Sequence, residues 1–342
     1  MNRGGAHFTR SELVTVLRQY QIGSIEDIQP LTRGNLRAPK KIIKTNTGLY
    51  LLKRRPHGKD DVYHVVFAHS IQLHLKKHGF PVAQIIPTEN RNTALLLNEH
   101  VYEMFSFIEG VRYDRKESAC RDAGCCLADF HKTVQGLEIS LHPPHSSYHK
   151  NPNVVHQLEQ LKQITSRSDK DLSTTGKNLF DLYGQTGERV DSLGYPSWPE
   201  QIVHADWHPG NMLFRKDQVV AVLDFDSAKI APAVTDIANG LLQFSLVAGH
   251  KDPAQWPDHP DGNSMAAFAQ GYQQKTKIEP EEIQAVPDLM IEALIAEAVG
   301  PVAVTGHFAG KPGRTFLEMI LRKCTWIGQN RREIQKLIMQ KT

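Results

Sequence analysis

The chain has 342 residues, 40% hydrophobic and 23% charged, with no low-complexity tract, which suits one large or two medium globular cores and excludes a disordered or fibrous polypeptide. A formal charge of +3, from Lys and Arg spread along the chain, is too mild to demand a nucleic-acid partner. Cys120, Cys125, Cys126 and Cys324 show no Cys-x-x-Cys spacing, so a reducing compartment is expected and neither a disulfide frame nor a zinc site. The N-terminal residues lack an apolar signal core, and residues 237–249 are too short and mixed to span a bilayer, so the expected location is cytoplasmic, without a membrane partner.

Thr9 and Glu12 form a capping-box pattern, and Leu13, Val16, Leu17 and Tyr20 follow at helical spacing, which predicts a first helix. From residue 28 to 54 the period changes. Three antiparallel strands are predicted over 28–31, 41–45 and 49–53, with a turn at Asn46-Thr47-Gly48 and Lys53 closing the third. A Lys on an apolar strand is most often an edge or snorkelling residue. Asp60 or Asp61 caps a helix through Val62, Val65, Val66, Ile71 and Leu75, which Gly79 and Pro81 end. Residues 93–97 and 100–108 complete a five-stranded sheet, with Ser106 and Ile108, on spacing alone, at the end of the last strand.

Beyond Glu109-Gly110 the periodicity becomes helical. Ala119, Ala123, Leu127 and Phe130 form one helical face; 141–153 is a loop; helices are predicted over 154–165, 177–193, 281–299 and 315–337. Residues 251–263 read as a surface loop on the acceptor side of the site described next, and acidic residues between Asp252 and Glu297 suit a cationic acceptor.

The chemistry concentrates in Val203-His204-Ala205-Asp206-Trp207-His208-Pro209-Gly210-Asn211 and the later Leu223-Asp224-Phe225-Asp226. Pro209-Gly210 forces a turn, 211–214 reads as a strand, and the apolar run 219–223 returns as a buried strand. The polar ends of this hairpin lie together, so Asp206, Asn211 and Asp224 converge. Hard oxygen ligands there suit Mg²⁺, while a separate carboxylate accepts a hydroxyl proton. Asp224 and Asp226 are two apart, and spacing cannot choose between them as the metal ligand.

His204-Ala-Asp206-Trp-His208-Pro-Gly-Asn211, Leu-Asp224-Phe-Asp226 and Pro232-Ala-Val-Thr-Asp236-Ile-Ala together resemble the aminoglycoside phosphotransferase and choline kinase family of small-molecule kinases, type-two homoserine kinases included. Protein kinases carry His-Arg-Asp and Asp-Phe-Gly at the two places and match less well. The resemblance implies an α+β, two-lobed protein-kinase-like fold: an antiparallel-sheet lobe over 1–107 and a larger, mainly helical lobe over 108–342. It implies ATP- and Mg²⁺-dependent phosphorylation of a small-molecule hydroxyl, with Asp206 as catalytic base, Asn211 and Asp224 on the metal and Asp226 secondary. His204, His208 and Asp236 are implied as supporting residues. Lys53 would hold the nucleotide phosphates, Gly34 and Asn35 would lie in the loop over the nucleotide, and Ser106 and Ile108 would pair with adenine.

Kinase-like folds place a Glu on the helix after the Lys strand, and none lies between Val62 and His78. His69 or Gln72 stands in that place. Either the Lys53 partner comes from elsewhere or the pair is absent; the second case implies the alternative function, a nucleotide-binding pseudokinase or scaffold.

Overall fold

The computed structural model describes residues 7–32, 37–139, 141, 146–165, 170–247 and 249–340. Arg33, Gly34 and Asn35, expected over the nucleotide, lie outside the described residues.

The capping box forms as its pattern predicts. The Glu12 N–H donates to the Thr9 hydroxyl and the Thr9 N–H to Glu12 Oε2, both at 3.1 Å, starting α1 (Arg10–Leu17). Glu12 Oε1 then accepts from Arg54 Nη1 at 2.6 Å and from the Tyr102 hydroxyl at 2.8 Å. One carboxylate thereby starts the helix and ties it to two strands.

Those strands belong to a five-stranded sheet of β1 (Ile25–Pro30), β2 (Lys40–Thr45), β3 (Gly48–Arg54), β4 (Leu95–Leu97) and β5 (His100–Ser106). Its order is β1-β2-β3-β5-β4, antiparallel throughout. The register sets Lys53 on β3 opposite Glu103 on β5. Between β3 and β4 runs α2 (Val62–Lys77), whose N-cap Asp61 accepts from the His64 N–H. Ile43, Leu52, Tyr102 and Met104 pack with Val16 and Leu17 of α1 as a small core.

The rest is mostly helical: α3 (Glu117–Val134), α4 (Pro152–Thr165), α5 (Lys170–Ser192), α6 (Val234–Ser245), α7 (Gly262–Gln273), α8 (Pro280–Thr305), α9 (Gly313–Gln329) and α10 (Arg331–Met339). Two small hairpin-like sheets interrupt it, β6 (Glu200–Val203) with β9 (Lys229–Pro232), and β7 (Met212–Arg215) with β8 (Gln218–Val222). The expected helix over 315–337 is two helices, broken at Asn330, whose φ of −111° and ψ of 25° leave the helical region. The Asn330 side chain donates back to the Trp326 carbonyl, and Arg331 turns to Asp288 at 2.8 Å.

A helix that periodicity did not single out, α7, crosses α3 closely enough to require glycine on both sides. A Cβ at Gly124 would stand 2.1 Å from the Phe268 carbonyl oxygen, and one at Gly271 1.9 Å from that of Arg121. This crossing anchors the core beneath Trp207 and Phe225, both fully buried.

Candidate active site between the sheet and the helices

A cleft of ≈ 970 Å³ separates the sheet from the helices, lined among others by Lys53, Glu103, Ser106, Ile108, Asn211, Asp224 and Asp226. Ser106 gives its N–H to the Gln84 carbonyl at 2.8 Å, and the Ile108 N–H takes no backbone partner among the described residues. Lys53 Nζ lies 3.5 Å from Glu103 Oε2 and 3.5 Å from Asp226 Oδ2. Arg55 bridges the same two acids, with Nη2 2.8 Å from Glu103 Oε1 and 2.6 Å from Asp226 Oδ1. The Lys53 partner therefore comes from a strand and not from α2. His69, the buried residue of α2 at that place, donates from Nε2 to Glu103 Oε1 at 2.8 Å and so reaches Lys53 only through the glutamate.

The electrostatics agree with the geometry. Burial alone would push the Glu103 carboxyl up, but Lys53, His69 and Arg55 hold it well below the usual carboxylate range. Burial would likewise lower Lys53, yet Glu103 and Asp226 raise it above its ordinary value. The ammonium is thus held charged and aimed at the cleft. With this pair in place, the motive for the scaffold alternative, a missing acid, disappears.

The loop after β6 is shaped by its backbone. Ala205 sits at φ 60°, and the chain turns through Pro209 and Gly210, where a Cβ on Gly210 would come 2.5 Å from His208 Cε1. His208 Nδ1 accepts from the Gly210 N–H at 2.9 Å, which leaves Nε2 to carry the proton facing Asp206 Oδ1 at 3.5 Å. Asn211 Nδ2 donates to the Asp206 carbonyl at 3.1 Å and to Asp206 Oδ2 at 2.8 Å. Burial raises the Asp206 carboxyl, but His208, His204 and the Asn211 bond together more than offset it and the net shift is downward. Asp206 is an ionised acid with its orientation set from two sides.

Asp236 closes the loop from below. Its oxygens accept from the His204 and Ala205 N–H groups at 2.7 and 2.8 Å, and His131 Nε2 stands 3.4 Å away. His204, fully buried, donates from Nε2 to the Leu223 carbonyl at 3.1 Å. The Leu223 N–H in turn reaches the Asn211 carbonyl at 2.8 Å. These bonds lock the Asp206 loop to the chain that delivers Asp224.

Strand alternation does not govern the two later acids. The strand β8 ends at Val222; Asp224 takes a left-handed conformation, φ 61° and ψ 67°, and residues 225–227 form a 3₁₀ turn. Such a conformation costs a non-glycine residue about 1–2 kcal/mol. Its effect is to separate the acids: Asp226 is spent on Arg55 and Lys53, while Asp224 makes no ion pair among the described residues. Burial and the Asp226 charge raise the Asp224 carboxyl, as expected of an acid short of a cation.

Asp206 lines a second cavity of ≈ 460 Å³, together with His208, Lys229, Asn239, Gln243 and Glu297 among others. His208 and Gln243 line both cavities. Residues 251–263, expected on this side, do not line it. That segment packs instead on α9, where Lys323 donates to the Pro257 carbonyl and Arg322 pairs with Asp258 at 2.9 Å.

A model of the phosphotransferase enzyme family matches residues 27–285. The chain belongs to the phosphotransferase enzyme family. The homoserine kinase of Rhizobium meliloti (strain 1021) is 22% identical to it over 287 residues, 82% of this chain and 79% of the relative. The amicoumacin kinase hAmiN, solved in complex with AMP-PNP, Ca²⁺ and Ami, superposes with a TM-score of 0.68 at 13% identity, covering 96% of this chain and 94% of that one. The choline kinase of Cryptosporidium parvum Iowa II superposes with a TM-score of 0.63 at 16% identity, covering 97% and 98%. The fold is the two-lobed, kinase-like one, and the phosphotransferase is a small-molecule kinase.

Sequence reasoning passed over Glu103, Arg55, Lys229 and Gln243 in this phosphotransferase. A signal existed for Glu103 alone: aligning the strands around Lys53 sets it directly across, where cross-strand side chains meet. Among the described residues no helix of the phosphotransferase is long and apolar enough to cross a membrane.

Proposed function

We propose that the chain transfers the γ-phosphoryl group of ATP, with Mg²⁺, to a hydroxyl of a small molecule, between the lobes spanning 1–107 and 108–342. The observation that carries this reading is that the ionised Asp206 lines a smaller cavity, which meets the larger one at His208 and Gln243. The larger holds the cation pair and the unpaired Asp224; the smaller opens on Asp206.

The donor set fits Mg²⁺. Asn211 spends its amide hydrogens on Asp206, which turns its Oδ1 the other way, and Asp224 supplies a carboxylate that makes no ion pair among the described residues. Both are hard oxygen ligands. Among the described residues no three His, Cys, Asp or Glu side chains form a ready-made metal cage, so the remaining ligands would be phosphate oxygens and water. When bound, the ion would neutralise charge on the transferred phosphoryl group.

Lys53 binds the nucleotide phosphates, and Ser106 and Ile108 face its base. Asp206 orients the acceptor hydroxyl and takes its proton as the hydroxyl oxygen bonds to the γ-phosphorus and the bond to the ADP oxygen breaks. His208 and Asn211 hold Asp206; His204 and Asp236 hold the loop. Most of the catalysis is positioning.

Incubation with Mg-ATP and a panel of small hydroxyl compounds, homoserine first because the curated relatives are named homoserine kinases, tests the reading. A phosphomonoester seen by phosphorus NMR is expected. ATP unaltered with every acceptor contradicts it.

A further inference from the structure

Besides Asp206 and His208, the walls of the smaller cavity carry one cation and one further acid, Lys229 and Glu297. Lys229 lies on β9, in register opposite Val203, the residue that leads into the Asp206 loop. Among the described residues its ammonium makes no hydrogen bond and no ion pair. Partial burial lowers its pKa, and the nearby Asp236 and Asp206 only partly counter this. Asp236 has already committed both oxygens to backbone N–H groups. A half-buried ammonium whose neighbouring carboxylates make no direct ion pair with it is incompletely compensated, so an anion supplied from outside would be retained there.

Glu297, on α8, faces the same space. Gln243 donates to its Oε2 at 2.8 Å, which fixes the carboxylate and leaves Oε1 open. The residue is exposed and lines the cavity, yet the chain packed around it raises its pKa, with the Gln243 bond and His208 pulling the other way.

These charges distinguish the acceptors named for the similar kinases. Homoserine carries an ammonium and a carboxylate; choline carries a quaternary ammonium and no carboxylate. Glu297 suits the cation of either, but only the first offers Lys229 a partner, and a purely cationic acceptor would face Lys229 with a like charge. We propose that the acceptor is a zwitterion, a hydroxy α-amino acid whose carboxylate pairs with Lys229 and whose ammonium faces Glu297, its hydroxyl directed to Asp206. The inference rests on the reading of this cavity as the acceptor site.

The test compares homoserine with 3-aminopropan-1-ol, which lacks the carboxylate, and 4-hydroxybutyrate, which lacks the amine. In the wild type kcat/KM is highest for homoserine. In Lys229→Met the ratio of homoserine to aminopropanol falls by about 10–100-fold, the range for one charge-assisted hydrogen bond, through KM, and Lys229→Arg restores part of it. In Glu297→Gln the ratio of homoserine to hydroxybutyrate falls instead. Equal losses for all acceptors in Lys229→Met would mean that Lys229 serves the phosphoryl group, and would overturn the inference. A wild type that prefers aminopropanol overturns it while leaving phosphoryl transfer intact.

If no acceptor is phosphorylated, the proposed function fails, and calorimetry with Mg²⁺ and AMP-PNP still judges the recognition. Homoserine binding that Lys229→Met abolishes upholds it. No binding to the wild type overturns it.

Discussion

At the scale of single residues, the buried cluster of Lys53, Arg55, Glu103 and Asp226 makes the sharpest claims. Removing one member of a buried ionic network leaves the others uncompensated, at a cost of about 3–5 kcal/mol. Glu103→Gln is therefore expected to lower the melting temperature and to weaken nucleotide binding. His69→Ala removes one hydrogen bond to Glu103 and should do less of both. Nucleotide titration of the two variants decides this, and a larger loss in His69→Ala would return the anchoring of Lys53 to α2. The two acids after β8 separate in the same way: Asp224→Ala abolishes Mg²⁺-dependent turnover, while Asp226→Ala keeps measurable activity with a raised Mg²⁺ requirement and lower stability. Magnesium titrations giving the reverse order would exchange their roles.

His204 adds a pH dependence. Burial lowers its pKa, so the folded chain disfavours the protonated ring more than the unfolded chain does. Its contribution is complete above the unfolded value of about 6.5 and is lost as the pH falls below it. Chemical denaturation at pH 7.5 and 5.5 should show a larger loss in the wild type than in His204→Gln, which does not titrate. Equal losses would mean that the buried ring contributes nothing to acid sensitivity.

At the scale of elements, the crossing of α3 and α7 holds the floor of the site. With a Cβ 2.1 Å from the Phe268 oxygen, Gly124→Ala must push α7 outward, and overpacking of that kind costs about 1–3 kcal/mol. A lower melting temperature is expected; an unchanged one would show that the helices have room to part. The elements also mark what periodicity can and cannot reveal. The sheet was legible because β2, β3 and β5 are short runs with adjacent apolar residues, set off by turn residues such as Asn46-Thr47-Gly48 and Glu109-Gly110. The helix α7 was not, because Met265, Ala266, Ala267, Phe268 and Ala269 are buried on every side and leave no stripe. The pause at Asn330 was also hidden, since apolar residues on both sides of it keep helical spacing.

At the scale of the whole molecule, the fold was legible, and so were the contact of Asn211 with Asp206 and its place beside Asp224 on the cleft wall, because a local turn and one hairpin set them. Residues delivered by distant elements stayed silent. Glu103 needed the pairing of β3 with β5, and the cavity beside Asp206 is walled by α4, β9, α6 and α8, whose side chains carry no local motif. The account therefore depends on Asp206 in the smaller cavity, beside the His208 that lines both cavities. Its most direct test is single-turnover phosphoryl transfer by wild type and Asp206→Asn, with Mg-ATP affinity measured on the same preparations. Asn keeps the shape and the Asn211 side of the contact but cannot take a proton, so the chemical step should slow by about 10²-fold or more while nucleotide affinity stays nearly unchanged. A wild-type rate of transfer in Asp206→Asn would contradict the account.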